Sequence, residues 1–517
     1  MKTIDTKQLD TIVILDFGSQ VTQLIARRIR AGNIHAVIVP YSVSADLLMD
    51  PRIRGIILAG SPASVYAKGA PHCDKKIFAL GKPILGICYG FQLMADNYFG
   101  EVARGTKREY GEATIKIETT NQLFEGTPTQ QTVWMSHGDS VVKLPKNFSV
   151  IATSANTPLA AAKHDTLPWY GVQFHPEVWH TVHGTRILEN FAKNICRAKP
   201  EWTTKHFITE AKEEIRKQVG NRTVVHALSG GVDSTVLALL LKEALPAKQI
   251  LNVYIDTGFM RLDESAQIMK SLKDLGLKVS MQDESKKFLS KVKGVVDPET
   301  KRKIIGKEFV RALMQNVTKK DFRSQGTLYP DVIESVSVHG PSDTIKTHHN
   351  RAPEILTLIK EGRVIEPLKE LFKDEVRKIG QELGMPDDMV YRQPFPGPGL
   401  AIRILGDITT ERLDILRQAD AIFIEEIRKA GLYKKISQAF AALDSNKAVG
   451  VKGDEREFGY MILLRAVTTT DFMTADWYRF DNEFLAMVAN RIVNEVAGVT
   501  RVLYDITQKP PATICYM

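Results

Sequence analysis

Pro83-Ile-Leu-Gly-Ile-Cys88-Tyr-Gly-Phe-Gln92 runs a short apolar stretch into a cysteine and then directly into a helical pattern. A short apolar run bounded by a turn reads as a buried strand. A strand that bends sharply into a helix puts the residue at the bend on a tight elbow, where a nucleophile is exposed. Gly86 and Gly90 relieve the crowding there. The amino end of the helix favours thiolate over thiol, so Cys88 is the candidate nucleophile. Outward from this segment the chain alternates apolar runs with amphipathic stretches: Thr11-Ile-Val-Ile-Leu15, a helix through Ile25–Arg30, His35-Ala-Val-Ile-Val39 and Gly55-Ile-Ile-Leu58. That alternation predicts an α/β unit with a largely parallel sheet.

At 517 residues the chain is too long for one core. The periodicity restarts with a helix near Ile208–Val219, which sets a boundary close to residue 200. A strand at Thr223–Leu228, a Gly-rich turn, an apolar helix from Thr235 and a strand at Ile250–Ile255 predict a second α/β unit. Gln393-Pro-Phe-Pro-Gly-Pro-Gly399 excludes helix and sheet interior. Beyond it, helices around 408–430 and near Phe484–Val496, with strands at Met461–Val467 and Arg501–Asp505, predict a smaller α+β unit. The expected organisation is an α/β multidomain protein with domains 1–200, 201–393 and 394–517.

The composition, 44% hydrophobic and 25% charged, is that of a soluble globular protein. The net charge of +9 is diffuse: residues 1–200 carry 22 Lys+Arg against 16 Asp+Glu, and the rest 47 against 44. No nucleic-acid groove is expected. Cys73, Cys88, Cys196 and Cys515 show no C-x-x-C spacing, which argues against a zinc site or disulfide framework and for a reducing compartment. No signal peptide and no long apolar run is present, so a cytoplasmic protein without membrane contact is expected.

A thiol that attacks an amide needs a base, and the base needs orienting. Gly171-Val-Gln-Phe-His175-Pro-Glu177 supplies His175 and Glu177 on one side of an extended segment. A second constellation is Leu228-Ser229-Gly230-Gly231-Val232-Asp233-Ser234, between a strand and a helix. Small residues there let backbone N–H groups approach phosphate oxygens, with the helix amino end adding positive potential. It lacks the Gly-Lys-Ser/Thr of a P-loop. Asp256, in Tyr254-Ile-Asp-Thr-Gly258, ends the next strand, where α/β sheets place ligand groups.

The first pair of segments resembles class I glutamine amidotransferases. The resemblance implies that Cys88 attacks the glutamine amide, His175 protonates departing ammonia, Glu177 aligns the imidazole, and amides near Gly60 and Tyr89 hold the oxyanion. Met135-Ser-His137-Gly-Asp139 matches a family segment lining the glutamine site. The sequence departs from the family at Gly60-Ser61-Pro62, where Gly-Gly-Pro is usual. The Ser229–Ser234 loop resembles that of ATP pyrophosphatases, with an adenine nucleotide hydrolase-like fold. This implies ATP cleaved to AMP and pyrophosphate, with Asp233 helping to hold Mg²⁺.

Four further segments, Asp297–Gly306, Ser324–Ser335, Glu366–Arg377 and Gln393–Leu400, are similar to the GMP synthetase family. Lys373 and Asp374 are thereby candidates for the synthetase site. The resemblance implies that ATP adenylylates the C2 oxygen of xanthosine monophosphate and that ammonia from glutamine displaces AMP. It also implies a carboxy-terminal domain that forms a homodimer and supplies the xanthosine monophosphate site, with Arg302 of the preceding domain and Gln438, Asp454 and Lys509 as the matching positions. The tail Thr513-Ile514-Cys515-Tyr516-Met517 departs from the family's Thr-Ile-Glu-Trp-Glu, placing a thiol where a carboxylate is expected. His348-His349 are adjacent and would face opposite ways on a strand, so no transition metal is expected. The alternatives are an NAD-forming or tRNA-thiolating amidotransferase, the latter disfavoured because no cysteine lies between Cys196 and Cys515, and a nucleotide-sensing protein.

Overall fold

The computed structural model describes residues 3–98, 100–318, 321–329, 331, 353–452, 455–469 and 474–516. They form two compact units, one ending at Phe207 and the other beginning at Ile208.

The front unit is built on a nine-stranded sheet. Its strands are β1 (Thr11–Asp16), β2 (His35–Pro40), β3 (Ile53–Leu58), β4 (Ile84–Ile87), β5 (Glu101–Ile117), β6 (Gln130–Lys143), β7 (Phe148–Ser154), β8 (Ala161–His164) and β9 (Trp169–Val172). The spatial order is β2-β1-β3-β4-β9-β8-β7-β5-β6. From β2 to β9 the pairing is parallel, and from β9 to β6 it is antiparallel. All four residues of β4 and of β9 are buried, as continuous apolar strands with covered faces should be. Cys88 follows β4 and Gln173 follows β9, so the two sequence constellations emerge side by side at the carboxyl ends of neighbouring parallel strands.

The rear unit carries two sheets. In the first, β10 (Val224–Leu228), β11 (Ile250–Asp256), β12 (Val279–Asp283), β13 (Phe322–Ser324) and β14 (Val364–Ile365) lie parallel in the order β12-β11-β10-β13-β14. The order reverses direction at β10, so the turn that follows β10 opens into the crevice where such sheets bind ligands. The second sheet contains β15 (Ile404–Leu405), β16 (Gln438–Lys452), β17 (Glu455–Thr468), β18 (Asp476–Trp477) and β19 (Val499–Tyr504), with β16 and β17 antiparallel. The helices Thr410–Lys429 and Asn482–Glu495 begin at Thr409 and Asp481, whose side chains accept from Arg412 N and Phe484 N. One apolar core joins the two sheets, running from Val225, Val253 and Phe259 through Leu400 and Ile404 to Leu443, Ile462 and Val499. The Pro/Gly segment 393–399 crosses between them, and Leu400 N donates to Phe259 O at 2.7 Å.

Packing at the front bend leaves no room for a side chain. A Cβ on Gly90 would lie 2.1 Å from the carbonyl oxygen of Leu58, a backbone atom that cannot rotate away. Gly90→Ala is therefore expected to cost about 1–3 kcal/mol or more of front-unit stability, read as a lowered calorimetric midpoint, while rear-unit unfolding is unaffected.

Candidate active site

In the front unit, Cys88 stands at φ 51°, ψ −105°, outside the regions an L-residue prefers. The geometry is fixed from both sides: Cys88 N donates to Val172 O at 2.8 Å, and Cys88 O accepts from Phe91 N and Gln92 N, both at 3.1 Å. The thiol is directed to Ser136 O at 3.8 Å and accepts from the Gln173 amide at 3.7 Å. Tyr89 opens the helix Tyr89–Asn97, so its amide is among the first-turn donors that a helix leaves unpaired. Gly60 packs against the imidazole; a Cβ there would be 3.3 Å from His175 Cε1.

His175 Nδ1 lies 2.7 Å from Glu177 Oε1. The segment 173–177 forms bends and a turn beyond β9, where a continued strand was expected, yet it still puts both side chains on one side. Its backbone is pinned to β6: His175 N donates to Trp134 O at 2.9 Å, and Thr181 Oγ1 donates to His175 O at 2.6 Å. Burial opposes a charge on His175, but the Glu177 carboxylate and the Cys88 sulfur outweigh it and hold the imidazole pKa well above its ordinary value. His137 differs. Burial pushes its pKa down, only partly opposed by Glu109, whose Oε2 is 3.5 Å from Nε2.

In the rear unit the Ser229–Ser234 turn is held by its own hydroxyls. Ser234 Oγ donates to Gly231 O at 3.0 Å and accepts from Ser229 N at 3.3 Å, and Thr235 Oγ1 also bonds Gly231 O, at 2.9 Å. Gly230 has φ +71°, and a Cβ there would come within 2.5 Å of Ile268. Lys373 Nζ grips both oxygens of Asp233, at 2.7 and 2.6 Å. Asp374 follows it in the first turn of the helix Lys373–Glu382. Val232 starts the helix of the turn and is buried. Asp256 ends β11, with its Oδ1 accepting from Gly258 N at 2.8 Å.

Of the residues expected to recognise xanthosine monophosphate, Gln438 opens β16, where its amide donates to Pro394 O at 3.2 Å and points to Cys515 Sγ at 3.9 Å. Lys509 pairs through its backbone with Ala475. Arg302 is exposed on the helix Pro298–Met314. The neighbouring Lys301 is buried and donates to Ile404 O at 2.8 Å, which ties this helix to β15. Asp454, Glu334, Ser335 and the His348-His349 pair lie outside the described residues. Among the described residues no cluster of three or more His, Cys, Asp or Glu is arranged for a metal, and no helix is long and apolar enough to cross a membrane.

Three residues that support these sites escaped the sequence reading. His226, inside β10, bridges Ser324 Oγ at 2.7 Å and Ser234 O at 2.8 Å. A carbonyl only accepts, so Nε2 carries the proton and Nδ1 accepts from the Ser324 hydroxyl. Burial pushes its pKa down to about 4, so it is neutral at physiological pH. Arg392 donates to Gly230 O at 2.8 Å and pairs with Glu264. Arg403 is fully buried 3.5 Å from Asp420, with its guanidinium over the rings of Phe440 and Phe395. Burial draws its pKa down to about 10. The available signal was a polar residue inside an apolar run: Val-Val-His226-Ala-Leu and Leu-Ala-Ile-Arg403-Ile-Leu.

The model for class-I glutamine amidotransferases matches residues 13–195, that for NAD synthase residues 204–317, and that for the GMP synthase carboxy-terminal domain residues 425–516. Fold and site together define a class I glutamine amidotransferase joined to an ATP-dependent synthetase of the ATP-pyrophosphatase type. The chain is 53% identical to the glutamine-hydrolyzing GMP synthase of Saccharomyces cerevisiae, with 98% of each protein covered. It is 50% identical to that of Chlorobium chlorochromatii, covering 98% of this chain and 99% of that one. The chain belongs to the glutamine-hydrolysing GMP synthase family, a family of ligases. The NAD synthase match is the synthetase module of that architecture, so the NAD-forming alternative falls.

The His175 environment sets a pH test. Glu177 is the main group raising its pKa, so the protonated imidazole persists to a lower limit of pH without it. Glu177→Gln should move the alkaline limb of glutamine hydrolysis to lower pH and slow turnover about 10–100-fold, measured as kcat/KM for glutamine against pH. An unmoved limb would remove the carboxylate from this role.

Proposed function

We propose that the chain converts xanthosine 5'-monophosphate to GMP, with ATP cleaved to AMP and pyrophosphate and ammonia supplied by glutamine. What carries the reading is the presence in one chain of the family of two preformed constellations, the bonded His175–Glu177 pair beside Cys88 and the hydroxyl-braced Ser229–Ser234 turn. In the front unit the Cys88 sulfur attacks the amide carbon and the C–N bond breaks. His175, kept protonated by its neighbours, gives its proton to the departing ammonia. The Gly60 and Tyr89 amides receive the oxyanion, and water releases glutamate from the thioester.

In the rear unit the backbone of Ser229, Gly230, Gly231 and Val232 and the hydroxyl of Ser234 cradle the pyrophosphate end of ATP, with Asp256 and the Lys373/Asp374 helix start beside the crevice. Adenylylation turns the C2 oxygen of xanthosine monophosphate into a leaving group, and ammonia displaces AMP. Arg302 and Lys509 suit the 5'-phosphate, and Gln438 and Asp454 the base or ribose. A Mg²⁺ ion needs few protein ligands beside waters and phosphates, and the Asp233 carboxylate in the first helical turn would meet that demand in exchange for Lys373, which here holds both of its oxygens. Bound with ATP, the ion would neutralise charge on the leaving pyrophosphate. Homodimer formation through the carboxy-terminal part is supported by Val449, Val451 and Phe458, which are 47%, 71% and 61% exposed on the β16–β17 hairpin.

Offered xanthosine monophosphate, nicotinate adenine dinucleotide or tRNA with ATP, the protein should release pyrophosphate and AMP only with the first; ADP as product would refute the loop assignment. Cys88→Ala should abolish synthesis from glutamine yet retain it at high ammonium, and loss of both would refute two separable sites. Val451→Lys should shift the sedimenting species from dimer to monomer; an unchanged species would place the contact elsewhere.

A further inference from the structure

Arg465 is fully buried although it stands on the face of the second rear sheet that points away from the main core. On β16 and β17 the core side is formed by Ala439, Ala441, Leu443, Ile462, Leu464 and Ala466. Arg465 pairs across the strands with Phe440, on the opposite face. What covers that face is the carboxy-terminal tail: Ile514, Cys515 and Tyr516 pack with Phe440, Ala442, Leu463 and Val467. Apolar contact of this kind holds a segment down but does not fix its register. The guanidinium does. Its Nε donates to Ile514 O at 2.8 Å and its Nη2 to Thr513 O at 3.0 Å, while Nη1 lies 2.9 Å from the Asp505 carboxylate at the end of β19. Three edges of one planar group thus fix both ends of the stretch from Asp505 to Ile514, which contains Lys509.

We propose that Arg465 is a positioning residue for nucleotide recognition, acting through the tail it clamps. The inference rests on the reading of Gln438 and Lys509 as contacts to xanthosine monophosphate. Ordering a tail with almost no regular structure costs conformational entropy that local interactions must offset. Two consecutive carbonyls bonded by one fork set the position of Cys515, toward which the Gln438 amide points, and the path back to Lys509. A lysine keeps the charge facing Asp505 but cannot reproduce the fork.

The test compares Arg465→Met and Arg465→Lys in the full chain. Both should raise KM for xanthosine monophosphate, by about ten-fold or more for Met and less for Lys, while KM for ATP stays within about two-fold. Carboxypeptidase should release tail residues about ten-fold faster from Arg465→Met than from the parent chain. An unchanged KM for xanthosine monophosphate despite a released tail would overturn the proposal. So would a joint rise in both KM values with a lowered melting temperature, which marks general loss of fold. Should Arg465→Met fail to fold, Arg465→Lys carries the same split. If the parent chain shows no saturable dependence on xanthosine monophosphate, the substrate reading fails by itself, and equal carboxypeptidase rates in all three proteins would then refute the clamp.

Discussion

Cys88 occupies a backbone conformation that an L-residue adopts only when its surroundings over-determine it, and much of the front unit's packing follows from maintaining that bend. The strand before it is fully buried and paired on both sides, so it cannot relax lengthwise. The helix after it approaches β3 so closely that only glycine fits at position 90. The strain puts the sulfur where the next parallel strand delivers Gln173 and His175. A parallel sheet suits this task because adjacent strands end on the same edge, so residues distant in sequence meet there without a long connecting loop.

The rear unit meets a different demand at the same kind of edge. A phosphate site needs N–H groups rather than a displaced nucleophile, and its turn is kept open by hydrogen bonds to its own carbonyls. Ser234 and Thr235 both bond Gly231 O, Arg392 takes Gly230 O, and His226 takes Ser234 O from below. The turn's carbonyls are thereby held by protein donors, while the amides of Ser229 and Gly231 are held by the Ser234 and Ser229 hydroxyls at 3.3 Å. His226 serves in this way as a neutral ring, because its burial penalises the charged form. Lys373 completes the arrangement by neutralising Asp233, which otherwise would repel an incoming polyphosphate.

The motifs that decided the sequence reading are short and contiguous. Pro83–Gln92, Gly171–Glu177 and Leu228–Ser234 carry strand, turn and chemistry within about ten residues each, and local sterics make such segments legible. The parallel strands were legible for the same reason, as apolar runs too short to be helices. The long hairpin β5–β6, which lends Trp134 and Ser136 to the front site, was not, because its strands bend and carry mixed polarity over 17 and 14 residues. The pairings that join distant segments were not legible either. Lys373 reaches Asp233 across 140 positions, and no periodicity announces a tertiary ion pair. Segment 173–177 gave the right side-chain placement with the wrong backbone, since a turn and a strand can both bring residues i and i+2 to one side.

A polar or charged residue inside an apolar run is the signal that links the missed residues. His226, Arg403 and Arg465 each sit in a stretch that would otherwise be continuous core, and burying such a group without partners is costly. A chain that retains them has to supply acceptors or rings from elsewhere. Arg465 finds two backbone carbonyls and a carboxylate. Arg403 finds Asp420 and two aromatic faces, with Cys515 close enough to affect it electrostatically. Both arginines therefore converge on the last residues of the chain, Arg403 from the short helix before β15 and Arg465 from β17, with Phe440 beside each. The tail's thiol packs on the same face as Phe440, so its place is fixed by the sheet beneath it and by the Arg465 bond to Ile514 O as much as by the tail's own sequence.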